Sequence, residues 1–165
     1  MNLSKNITLE ELLHDQDSIL SITPQQEFCM RVLANELLQP IRDKFGVIQI
    51  TSGLRTNKTI QRLIKEGYPA SKSSDHVAWS SDNPYGTGAV DITLPKFSKI
   101  NVVFEWIIVN LKGRFKQIIL YPDKNMIHVA NAWENIFKSP NPQSKINEIL
   151  TKGSEGFYPY PYKIN

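Results

Sequence analysis

The order of elements legible in this chain is compatible with an α+β domain: helical patterning comes first, strands and further helices follow, and an antiparallel hairpin comes last. Three observations carry this. Capping chemistry marks two helix starts near the N-terminus, β-branched alternation marks separate strands at 47–51 and 89–93, and two apolar runs at 117–121 and 126–130 are joined by only four turn-forming residues.

Thr8 to Glu11 fits a capping box ahead of a short helix, and Thr23-Pro24-Gln25-Gln26 fits a second, with proline where a missing N–H costs nothing. From Pro24 the positions Phe28, Val32, Leu37, Ile41 and Phe45 trace one helical face that ends at Gly46. Pro40 falls inside this run and predicts a kink. Val47 to Thr51 reads as a strand that delivers Arg55 to a loop edge, and Thr56 to Glu66 as a helix stopped by Gly67.

Residues 68–88 are rich in Ser, Asp, Asn, Gly and Pro without a period, which predicts a long loop before the strand Ala89 to Thr93. Ser98 is placed to cap a helix from Lys99 to Leu111 with a broad apolar face of Val102, Val103, Trp106, Ile107 and Leu111. The strands 117–121 and 126–130 then pair as a hairpin around Pro122-Asp123-Lys124-Asn125. Beyond Ser139 the expectation is an extended tail over 139–165, with a short helix around Ile146 to Leu150 and a closing Tyr-Pro repeat.

At 165 residues, 41% of them apolar, a single domain with one core is the default. No apolar run is long enough to cross a bilayer, and Met1 to Asn6 leads into no apolar stretch of the kind a secretion signal needs. The net charge of +3 comes from scattered Lys and Arg, which argues against a nucleic-acid partner. The one cysteine, Cys29, sits in an amphipathic stretch and reads as a buried thiol.

Two of the three histidines occupy unusual places: His76 lies in the polar loop, and His128 in the middle of an apolar strand, where alternation projects it from a rigid support. Asp91 is a carboxylate inside the apolar strand Ala89-Val90-Asp91-Ile92, where burial demands a cation or backbone donors. Two imidazoles and one carboxylate leave a fourth zinc position open. Taken singly, the same residues also read as a core histidine, a solvated loop histidine and a capping aspartate.

Ser74-Asp75-His76, then Gly88-Ala-Val-Asp91, then Met126-Ile-His128-Val together resemble the metal-binding pattern of the M15-type zinc peptidases, the D-alanyl-D-alanine carboxypeptidase and peptidoglycan endopeptidase family. Upstream, Leu3 to Leu12, Leu38-Gln-Pro-Ile-Arg42 and Ile50-Thr-Ser-Gly-Leu-Arg55 resemble that family's opening helix, long helix and first strand, so the likeness spans residues 3 to 131. It implies a small α+β domain over 1–138 with a mainly antiparallel sheet, helices packed on one side and a zinc cleft on the open face. By the same resemblance His76, Asp91 and His128 bind the zinc, Arg55 holds the substrate carboxylate and Ser74 supports the site or the substrate.

Three departures stand out. Fifteen positions separate His76 from Asp91, a longer spacer than the family's, and 78–85 reads as an insertion suited to a lid or partner contact. Thr87 takes a glycine position, with Gly86 and Gly88 able to absorb the shift. Asn125 stands three residues before His128, where relatives carry Asp or Glu, and an amide cannot accept the proton of an attacking water. Asp123 in the turn is the alternative base, and Glu134 a weaker one.

The resemblance implies hydrolysis of peptide bonds in peptidoglycan stem peptides, and the lack of a secretion-signal pattern points to a phage lysin or a virion-borne enzyme. The alternative is a catalytically impaired relative that serves as a structural or binding protein, contacting other phage proteins through 78–85 and the tail.

Overall fold

The computed structural model describes residues 1–13, 22–68, 70–71, 74–78, 87–132 and 147–161. The fold is α+β, a six-stranded and mostly antiparallel sheet with helices against it.

Both predicted capping boxes are formed. Thr8 caps α1 (Leu9–Leu12) through Glu11, and Thr23 caps α2 (Pro24–Leu33) through Gln26. The helix then passes through a π turn at Ala34–Leu38 into α3 (Gln39–Phe45). The irregularity expected at Pro40 therefore appears one turn earlier: the Gln39 N–H bonds back to Ala34, a wider loop that accommodates a proline lacking its own donor.

The buried face of this helix matches the predicted one at Leu37 and Ile41 but differs from it in α2. Cys29, Met30, Leu33, Leu37, Leu38 and Ile41 are fully enclosed while Phe28 is 39% exposed, because the π turn resets the helical phase between the two halves.

Strand β1 (Gln49–Ser52) leads through Leu54 and Arg55 to α4 (Asn57–Lys65), capped by Thr56. After a 3₁₀ turn at Asp75–Val77 come β2 (Ala89–Thr93), α5 (Ile100–Asn110) and the hairpin β3 (Phe115–Tyr121) and β4 (Met126–Asn131), as expected from the sequence. The cap position of helix α5 is Lys99, which makes no side-chain cap, and not Ser98 as expected. It buries Ile100, Val103, Phe104, Ile107 and Ile108, while Val102 is 45% exposed.

The segment read as a tail instead extends the sheet. Where a short helix was expected around Ile146 to Leu150, the chain forms β5 (Glu148–Gly153), which pairs parallel to β3, and turns back as β6 (Gly156–Pro159). The β-branched and apolar run Ile149-Leu150-Thr151 suits a strand better than the helix its short length suggested.

The sheet order is β1-β2-β4-β3-β5-β6. Alternation gives it two unlike faces. Val90, Ile92, Ile118, Leu120, Ile127 and Val129 join α2, α3 and α5 in the main core, each buried side chain contributing about 1.5–3 kcal/mol. The opposite face carries Asp91, His128, Ile119 and Tyr121.

Candidate metal centre

Each of the three polar side chains at the centre is set by regular structure. Asp91 and His128 are direct cross-strand partners in β2 and β4, so their side chains leave the same face of the sheet side by side. His128 Nδ1 lies 2.8 Å from Asp91 Oδ1. His76 arrives from the 3₁₀ turn, whose first residue is capped by Ser74: the Ser74 hydroxyl accepts the His76 N–H at 3.3 Å. The turn is held against the segment that follows β1 by the Arg55 N–H, which donates to the His76 carbonyl at 2.7 Å.

The His76 ring is oriented by a second contact. Its Nδ1 is 3.0 Å from the Gly53 carbonyl, which only accepts, so Nδ1 carries the proton and Nε2 keeps its lone pair in the neutral ring. That Nε2 faces Asp91 Oδ1 at 3.6 Å. Two acceptors aimed at one another in a buried setting are reconciled by a cation between them, a proton or a metal ion.

His76, Asp91 and His128 thus form a group that could hold a metal ion, with one ligand atom from each and all of these atoms within 4.8 Å of one another. The two rings are 5.1 Å apart between centroids. Burial works against ionisation of Asp91, but the hydrogen bonds and positive character of His128 and His76 outweigh it and hold the carboxyl well below the usual carboxylate range.

The other residues singled out from the sequence are distributed around this centre. Arg55 donates from Nη2 to Ser52 Oγ at 3.2 Å, and Ser52 is the cross-strand neighbour of Asp91. Its Nε is buried and, among the described residues, has no hydrogen-bond partner. Asp123 lies in the exposed 3₁₀ turn Pro122–Lys124 between β3 and β4, with no bond to the three ligands among the described residues. Asn125 closes that turn in the left-handed conformation, φ 48°. Glu134 and residues 79–85 of the expected insertion lie outside the described residues, as does the third histidine, His14.

Comparison with protein-family models, with curated proteins and with solved structures finds no match to this chain.

Two neighbours of the centre, Lys116 and Tyr121, were not singled out from the sequence. Lys116 of β3 bonds Asp75 at 2.6 Å, and the Thr87 hydroxyl reaches the same carboxylate oxygen at 3.5 Å, so the residue preceding His76 is tied to two other segments. Tyr121 lies two residues beyond Ile119, the direct partner of His128, and so shares its face. Burial and the Asp91 charge raise its phenol above the ordinary range. Strand alternation could have indicated Tyr121; nothing in the sequence pairs Lys116 with Asp75.

Proposed function

We propose that this chain is a zinc-dependent peptidase of the M15 type that hydrolyses a peptide bond in peptidoglycan stem peptides, as a phage lysin or a virion-borne enzyme. The observation that carries the reading is the convergence of His76 Nε2, Asp91 Oδ1 and His128 Nδ1, with Arg55 bonded to Ser52, the cross-strand partner of Asp91. Two imidazoles and a carboxylate are a zinc donor set, and ligand atoms of a tetrahedral zinc site stand about 3.3 Å apart. The separations of 2.8 and 3.6 Å fall on either side of that value.

Bound there, zinc supplies Lewis acidity toward a carbonyl and lowers the pKa of a water in its open position. The chain's own residues do the rest. Gly53 fixes the His76 tautomer, and Arg55 offers its guanidinium to the substrate carboxylate. Asp123 is assigned the proton of the attacking water, which requires the 122–124 turn to fold toward the centre.

One observation favours a second reading. Asn125 occupies the position of the usual acid, and Asp123 is exposed in the turn, so the chain also fits a metal-holding structural or binding protein without hydrolytic activity.

Metal analysis and a peptidoglycan digest separate these. The peptidase reading expects one zinc per chain, lost in His76→Ala and His128→Ala, and release of stem-peptide fragments seen by mass spectrometry. Zinc without fragments establishes the second reading, and absence of stoichiometric zinc overturns both. Fragments released undiminished by Asp123→Ala remove that residue as the base.

A further inference from the structure

The C-terminal hairpin adds to the open face a group of side chains that the metal centre does not use. Leu120 is level with Thr151 across the parallel β3–β5 pair, so Lys152 stands next to Tyr121 on the same face. Lys152 in turn pairs with Phe157 of β6. The side chains confirm this register. The Tyr121 and Phe157 rings meet edge to face at 6.1 Å, Lys152 Nζ lies 5.1 Å from the Phe157 centroid, and Lys124 Nζ lies 5.9 Å from that of Tyr121.

This cluster is accessible and positively charged. Phe157 is 53% exposed, although it is a large apolar side chain at the end of a sheet. Lys152 donates to the Gly153 carbonyl, and neither it nor Lys124 has a carboxylate partner among the described residues. On the same face of β5 the carboxylate is Glu148, four residues away and engaged with Gln117. Two ammonium groups beside two aromatic rings are suited to an anionic group carried on an apolar or planar backbone.

The cluster is also continuous with the metal centre. Strands β4, β3 and β5 are adjacent, and Lys152 lies two strands across and two residues along from His128. That displacement is about 12 Å at ordinary strand spacing and rise. An extended peptide covers it in about three to four residues.

We propose that Tyr121, Lys152 and Phe157 form a second binding site that takes a carboxylate-bearing residue of an extended peptide, three to four residues from the bond presented to the metal centre. It rests on the peptidase reading for what lies at the metal, and it makes the C-terminal hairpin a specificity element.

The test uses the zinc-loaded full chain and capped hexapeptides of alanine carrying one glutamate at each position in turn, with glutamine counterparts, in a calorimetric binding series. The expected result is at least a fivefold preference for glutamate at one position. Lys152→Met and Phe157→Ala abolish that preference, leaving zinc content and thermal midpoint in place, and Lys152→Glu transfers it to lysine-bearing peptides. Equal affinity for the glutamate and glutamine series, or a preference that survives Lys152→Met, overturns the site. A variant with a lowered midpoint is replaced by Lys152→Gln, for which the same loss is expected. Peptidoglycan cleavage is read in parallel: a retained preference without cleavage sinks the peptidase reading alone, and cleavage without preference sinks this site alone.

Discussion

Asp91 and His128 face each other across β2 and β4 as direct partners, with carboxylate and imidazole 2.8 Å apart on the side of the sheet away from the main core. This pairing stabilises the fold even before a metal is considered, because it gives a largely buried carboxylate a close hydrogen bond. The Asp91 carboxyl is depressed in the folded chain. Its contribution is therefore present above the unfolded value of about 3.9 and is lost as pH falls through the folded one. In metal-free protein, urea midpoints should fall more steeply on acidification below about pH 4 for wild type than for Asp91→Asn. Parallel slopes in the two proteins would exclude this coupling.

Gly53 performs two tasks at one position. Its carbonyl orients His76, and its α-carbon packs so tightly that an added Cβ would lie 2.0 Å from the Leu12 carbonyl oxygen. The Leu54 N–H donates to that same oxygen at 2.6 Å, so the backbone has no room to retreat. Gly53→Ala should cost about 1–3 kcal/mol or more in denaturant unfolding and weaken zinc binding in the same protein. A variant with unchanged stability and zinc affinity would show that the contact yields freely.

How much of this was legible in the sequence depended on whether the signal was local. Thr8, Thr23 and Thr56 mark helix starts through their own hydroxyls, and Ala89 to Thr93 alternates as a strand, so these elements were found where they lie. His76, Asp91 and His128 are locally unusual, but it is the resemblance of the short motifs around them, not local chemistry alone, that marks them as ligands. Their convergence depends on the β2–β4 register and on Gly53, which no local pattern encodes. The hairpin β5–β6 was missed for a related reason: β5 pairs parallel with β3 across a long sequence separation, and its short run carries little periodicity.

Cys29 gives a prediction independent of the site. It is fully buried on α2, and burial pushes its thiol up to about 12. Folded protein at pH 8 should resist a disulfide exchange reagent and release one equivalent on unfolding in urea. Because the folded pKa is raised, the associated stability is complete below about 8.5 and declines as pH rises from there. Rapid labelling of folded protein would contradict the enclosed position.

Lys116 tests whether the metal centre depends on residues that never touch the metal. Its ammonium is 2.6 Å from Asp75, with side chains 28% and 13% exposed, so the pair is partly shielded and bridges β3 to the turn carrying His76. Thr87 holds the same carboxylate from the start of β2. Removing the lysine leaves Asp75 with the weaker hydroxyl contact and frees the turn to move relative to β2 and β4. Lys116→Met should therefore lower zinc affinity about tenfold, the lower end of what support residues around a metal ligand contribute. The expected loss of global stability is small, about 1 kcal/mol for a partly exposed pair. Competition with a chelator of known affinity measures the first quantity and urea unfolding of metal-free protein the second. Thr87→Val should act in the same direction more weakly. If Lys116→Met lowers stability but leaves zinc affinity intact, the clamp supports the fold alone, and the His76–Gly53 contact is sufficient to place the ligand.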